Sequence, residues 1–243
     1  MLIGKKGIKM AIQDSINWDD IMKKLEKWRR NVLNTPGSEN PAVTTIAEEY
    51  GKGTGTAEEA WAVLVSTILS LRTKDDVTRI TSRKLLNRAP NPETLAKLSV
   101  KEVAALAYPA GFYRNKAESL KKIADILLEK YDGLVPNNMD ELLALPGVGR
   151  KTANLVLIEA FNMYGICVDI HVHRISNRAG WVDTPNPDKT EMVLREIQPK
   201  KYWKKINAYL VLYGQHVCRP LSPYCSKCVI TEHCKKNNVE KSR

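Results

Sequence analysis

Apolar residues recur at helical steps through most of the chain. Between positions 17 and 33, Trp18, Ile21, Met22, Leu25, Trp28 and Val32 share one helical face, and Asp19 and Asp20 stand at its start, where the helix dipole favours acids. The spacing predicts an amphipathic helix. The run "TAEEAWAVLVSTILSL" (56–71) differs: Thr56 and Glu59 have capping-box spacing, and the apolar body behind them has hardly a polar face. That helix is expected to be central and buried. Further helical periods lie at 75–88, 91–98, 99–107, 115–131 and 188–198, and no stretch alternates with period two over a strand's length. Pro90, Pro92, Pro109, Gly111, Gly133 and Pro136 mark the joints. The expected fold class is all-α, without a fixed-period repeat.

The stretch "NNMDELLALPGVGRKTANLVLIEAF" (137–161) adds chemistry to this pattern. Asn138 and Glu141 have capping-box spacing, Pro146 and Gly147 end a short helix, Gly149 completes a tight turn, and a second helix begins near Arg150. Glycines let the backbone turn and approach a ligand closely, so the amides of Gly147, Val148, Gly149 and Arg150 are candidates to hold a DNA phosphate without reading sequence. An ordinary helix-helix connection would use the same residues. Lys151 lies at the mouth of the second helix, and Asp169 follows eighteen residues later, behind the apolar "GICV". An amine and a carboxylate brought together can attack an electrophilic sugar carbon and handle the protons. With a reference pKa of about 10.4, the lysine would need desolvation or the helix N-terminus to lose its proton. A phosphate-binding lysine and a helix-capping aspartate are the alternative.

Charge and cysteine usage narrow the classes. Lys and Arg total 38 against 27 Asp and Glu, a formal charge of +11, which suits a polyanionic partner such as nucleic acid but also a merely basic enzyme. The start "MLIGKKGIKM" lacks a signal-length apolar run, and the longest apolar stretch, 60–71, is too short for a bilayer, so a soluble intracellular protein with no membrane partner is expected. Four of the five cysteines fall in "CRPLSPYCSKCVITEHC" (218–234). A reducing compartment disfavours disulfides. One close pair, Cys225 and Cys228, flanked by Cys218 and Cys234, leaves zinc and an iron–sulfur cluster both open. Cys167 reads as a small core residue. Trp203, Ile206, Tyr209, Leu210 and Tyr213 read as the core face of a helix within 200–218. Arg174 and Arg178, four apart, suit phosphate contact or a solvated, acid-paired face.

Taken together, "LPGVGRKTAN", "VDIHVHR" and the C-x6-C-x2-C-x5-C tail resemble the endonuclease III family of DNA glycosylases, in the helix-hairpin-helix superfamily. The resemblance runs from about residue 17 to 236 and includes "ILSLRTKDDVT" (68–78) and "GFYRNKAESL" (111–120). It implies two helical domains. Residues 53–163 would form a central bundle with the hairpin, and residues 1–52 would join 164–243, which carry the helix of Asp169 and the cluster. Double-stranded DNA with damaged bases or abasic sites would lie between them, and the protein would be a monomer of cytoplasm, nucleoid or nucleus. Lys151 would be the nucleophile forming a Schiff base with deoxyribose, Asp169 the catalytic carboxylate, and His171 part of the site's lining. Relatives that only remove a base typically carry Ser or Tyr at the lysine position, so Lys151 implies strand cleavage by β-elimination as well. Oxoguanine glycosylases share the lysine but generally lack the cysteine tail, which favours oxidised pyrimidines as substrates. Cys218, Cys225, Cys228 and Cys234 would ligate a [4Fe–4S] cluster, which orders the C-terminal domain and presents Lys227, Lys235 and Lys236 to DNA beside Arg219. Two positions depart from the family: Arg72 stands where glutamine is usual as the plug behind a flipped nucleotide, and Phe112 where the wedge between bases is often leucine. A glycosylase for mismatched or oxidised purines and a non-catalytic DNA-binding protein remain as alternatives. Residues 1–16 fit either a flexible arm or an artefact of the assigned start.

Overall fold

A computed structural model describes residues 16–243; the segment before Ile16, and with it the expected arm, lies outside the described residues. Among the described residues the structure is helical, without strands. Its helices are α1 (Trp18–Leu33), α2 (Ala42–Glu49), α3 (Ala57–Ser70), α4 (Asp75–Arg88), α5 (Pro92–Ala96), α6 (Val100–Ala107), α7 (Tyr113–Lys130), α8 (Met139–Ala144), α9 (Arg150–Glu159), α10 (Ile170–Ala179), α11 (Pro187–Ile197) and α12 (Trp203–His216). Three-residue 3-10 turns lie at Lys200–Tyr202, Cys225–Lys227 and Thr231–His233. None of the helices is long and apolar enough to cross a membrane.

The described residues divide into two compact units, one of Glu39–Gly165 and one combining 16–38 with Ile166–Arg243. The first is built around α3. Trp61, Leu64, Val65, Ile68 and Leu69 on it are buried, and the Trp61 indole donates to the Ala89 carbonyl at 3.1 Å. Each such side chain contributes roughly 1.5–3 kcal/mol by leaving water. At its start the Thr56 hydroxyl accepts from the Glu59 amide at 3.2 Å, as its spacing predicts. Glu59 does not complete the box. Its buried carboxylate instead accepts from the amides of Thr54 (2.9 Å) and Gly55 (3.0 Å), holding the preceding turn.

The boundary at residue 39 differs from the expected one at 53, and α2 is the reason. "AVTTIAEE" is short and rich in β-branched residues, so its periodicity is faint. It is nevertheless packed into the Glu39–Gly165 unit: Ala42, Val43, Ile46 and Ala47 are buried, Thr44 donates to Glu159 at 3.2 Å, Glu49 pairs with Arg83, and Glu39 pairs with Arg79 at 2.6 Å.

In the second unit α1 packs against α12, and α10 packs against α11 and α12. Trp18, Ile21, Met22 and Leu25 meet Val172, Ile175, Leu194, Ile206, Leu210 and Tyr213 in one core, and the Trp18 and Trp181 rings lie 5.1 Å apart. Asn17 caps α1, accepting from the Asp20 amide at 3.1 Å. The two acids behind it also clasp other segments: Asp19 accepts from the Tyr202 hydroxyl at 2.7 Å, and Asp20 lies 2.6 Å from His233 Nε2.

Candidate functional site

The hairpin between α8 and α9 forms as its residues dictate. Asn138 caps α8, accepting from the Glu141 amide at 2.9 Å. The Val148 amide then donates to the Leu145 carbonyl at 3.1 Å, closing a turn in which Gly147 has φ of 79°. Only glycine adopts that conformation without strain. Val148, 7% exposed, points its side chain into the core, so of this candidate DNA-contact residue only the main chain is presented. Gly147 and Gly149 on either side are exposed, and a Cβ on Gly149 would meet nothing within 4 Å. Gly149 caps α9 in extended conformation. Arg150 and Lys151 occupy the first turn of α9, half-exposed, and from Thr152 onward the helix is buried. Backbone amides at a helix N-terminus with open space before them form an anion-binding surface.

Arg72 and Phe112 meet on the same unit. Phe112 is 59% exposed, and the Arg72 guanidinium lies 5.4 Å from its ring centroid. Both are left-handed, with φ of 52° and 55°.

Asp169 follows the buried Ile166, Cys167 and Val168 and caps α10: its Oδ1 accepts from the amides of His171 and Val172, each at 2.9 Å. His171 turns its ring against Gly214, where a Cβ would sit 2.5 Å from Nδ1, and that nitrogen lies 3.1 Å from Arg174 Nη2. Arg174 is half-buried and Arg178 is buried, and both guanidinium groups turn to the C-terminal loop. Arg174 donates to the Cys218 carbonyl at 2.9 Å, and Arg178 donates to the Cys218 sulfur at 3.3 Å, the Arg219 carbonyl at 2.8 Å and the Pro220 carbonyl at 3.0 Å. Sequence spacing could not show this, because the partners are carbonyls and a thiol forty residues away.

None of the four clustered cysteines is in a disulfide. Three of their sulfurs accept hydrogen bonds: Cys218 from Arg178, Cys228 from the buried Tyr213 hydroxyl at 3.2 Å, and Cys234 from the Lys236 amide at 3.4 Å. Burial pushes the Cys228 and Cys234 thiols above their ordinary pKa, so holding them as thiolates requires nearby positive charge. A single zinc ion would draw its sulfurs to about 3.8 Å from one another, given Zn–S bonds of about 2.3 Å. Among the described residues the side chains that gather three metal-ligating atoms within 4.8 Å are Asp20, Glu232 and His233, not the cysteines. The N–H and O–H donors to sulfur suit cysteines that bind metal as thiolates, whether to zinc or to an iron–sulfur cluster. Around this loop Arg219 and Lys227, both expected to face DNA, are joined by Arg243, which the sequence reading did not single out: the three lie 5.3, 5.6 and 4.4 Å from the ring centroid of Tyr224.

Residues 65–200 match the family described as HhH-GPD superfamily base excision DNA repair protein, which sets the class as helix-hairpin-helix enzymes of base excision repair. Over 176 residues the chain is 46% identical to Endonuclease III of Thermotoga maritima, covering 72% of this chain and 83% of that one. It is 40% identical over 227 residues to Endonuclease III homolog 2, chloroplastic, of Arabidopsis thaliana, covering 90% of this chain and 57% of that longer one. A solved structure of a trapped endonuclease III–DNA covalent intermediate, an estranged-adenine complex, superposes with a TM-score of 0.68 at 30% identity, covering 80% of this chain and 93% of that one. The chain belongs to the endonuclease III family of DNA glycosylases.

Proposed function

We propose that this enzyme is a bifunctional DNA glycosylase and abasic-site lyase that removes oxidised pyrimidines from double-stranded DNA. The observation that carries the reading is Lys151 in the first turn of α9, directly behind the two exposed hairpin glycines. In this reading the hairpin amides hold a phosphate of the damaged strand, while Arg72 and Phe112 enter the base stack as the damaged nucleotide swings out. The deprotonated Lys151 amine attacks the anomeric carbon. The bond from that carbon to the base breaks, and the base leaves with a proton. The sugar ring then opens to a Schiff base, loss of the 2′ proton expels the 3′ phosphate, and water releases the lysine. Asp169 supplies the carboxylate that steadies positive charge on the sugar and moves protons. A formal charge of +11 suits the polyanionic substrate.

Cys218, Cys225, Cys228 and Cys234 would hold a [4Fe–4S] cluster, which when bound supplies positive iron and cross-links the loop. Arg174 and Arg178 fasten the same loop to α10. The test is a panel of duplexes with oxidised pyrimidines, oxidised purines or mismatches, each opposite all four bases, scored separately for base release and strand cleavage. Oxidised pyrimidines should be excised fastest, with release and cleavage both observed. Preference for a purine lesion, or release without cleavage, would contradict the proposal.

A further inference from the structure

We infer that Lys116 is a positioning residue whose ammonium ties the loop after α3 to the start of α7, holding Arg72 and Phe112 as one rigid DNA-entering pair. The inference rests on the proposed wedge role of that pair. Two non-glycine residues in left-handed conformation each cost on the order of 1–3 kcal/mol and persist only where their surroundings hold them. Lys116 is 6% exposed, and its Nζ donates to the Leu69 carbonyl at 2.8 Å, the Leu71 carbonyl at 2.6 Å and the Thr73 hydroxyl at 2.8 Å. Three donors thus meet three oxygens that bracket Arg72. The Thr73 hydroxyl also accepts from the Gly111 amide at 3.0 Å, so one oxygen joins the residue after Arg72 to the residue before Phe112. A Cβ on Gly111 would lie 2.3 Å from the Arg72 carbonyl oxygen, so the two backbones are in direct contact.

The Lys116 amide itself donates to the Phe112 carbonyl at 3.1 Å, so the residue that gathers the first loop also belongs to the turn that presents the phenylalanine. Burial pushes the Lys116 amine down to about 8, so a charge is kept here at a cost that an apolar residue would avoid. An ordinary helix-packing position would favour the apolar residue.

The test uses the full chain and a duplex carrying an oxidised pyrimidine beside 2-aminopurine, whose fluorescence rises as the stack opens. Lys116→Met keeps the side-chain length and removes the donors. It should slow the fluorescence rise at least about tenfold, the scale of one lost charge-assisted hydrogen bond. Borohydride cross-linking to a duplex that already contains an abasic site has no base to extrude and should proceed as in the wild type. Thr73→Val, which removes the shared oxygen without touching the lysine, should give the same selective loss. In an Arg72→Ala/Phe112→Ala background Lys116→Met should add nothing, because the group it positions is gone. Losses that multiply in that background, or cross-linking that falls with extrusion, would overturn the inference. If the double variant itself opens the stack as fast as the wild type, the wedge reading falls and takes the inference with it. If the double variant is slow while Lys116→Met is not, the inference alone falls.

Discussion

Asp169 caps α10 through Oδ1, and the same carboxylate is the group proposed to steady the sugar. One substitution separates the two roles. Asp169→Asn keeps an oxygen that can accept both amides, so denaturant stability should stay close to wild type, whereas Asp169→Ala loses the cap at about 1 kcal/mol. Base release should fall in both by roughly 10²–10⁴-fold, the scale of positioned proton transfer. Full activity in Asp169→Asn would reduce the residue to a cap. At this scale the sequence was informative wherever a residue type has few uses. Lys151 behind a glycine turn and four close thiols stand out by themselves. The roles of Arg174, Arg178 and Lys116 do not, because each is defined by carbonyls, a thiol or a hydroxyl that the fold brings to it.

Helix α9 gains its exposed N-terminus from two glycines that do different work. Gly147 needs its left-handed φ of 79°, so Gly147→Ala should destabilise the fold by about 1 kcal/mol or more. Gly149 is extended, and a Cβ there meets only open space, so Gly149→Ala should lose no more than the N-cap preference of glycine over alanine, about 1 kcal/mol or less. Its new methyl would stand in front of the helix amides, and binding of undamaged duplex, measured by anisotropy at fixed salt, should weaken several-fold. Unchanged DNA affinity in Gly149→Ala would remove the hairpin from the DNA contact. Helix periodicity in the sequence located most elements to within a residue or two, including the central α3. It missed α2, whose β-branched run hides the period, and it read Glu59 as half of a capping box when burial had turned that carboxylate toward the preceding amides.

On the scale of the molecule, the chain leaves one unit after Gly165 and completes the other with segments from both of its ends, which a linear reading of boundaries places at 53 rather than 39 because α2 carries so weak a signal. The C-terminal loop of that second unit has little apolar content of its own and is held by Tyr213, Arg174 and Arg178, and by the cluster proposed on its four cysteines. Removing iron should therefore loosen it: tryptic cleavage after Lys227 should accelerate, and loss of the visible absorption band should parallel a lower melting temperature. An iron-free protein that melts and resists trypsin like the loaded one would show that the protein contacts alone hold the loop.

The central claim, that Lys151 is the nucleophile, is tested most directly by borohydride trapping on an abasic duplex followed by peptide mass mapping. The wild type should form a covalent adduct carried on Lys151, and Lys151→Gln should form none while still binding the duplex. An adduct on another residue, or an undiminished adduct in Lys151→Gln, would contradict the account.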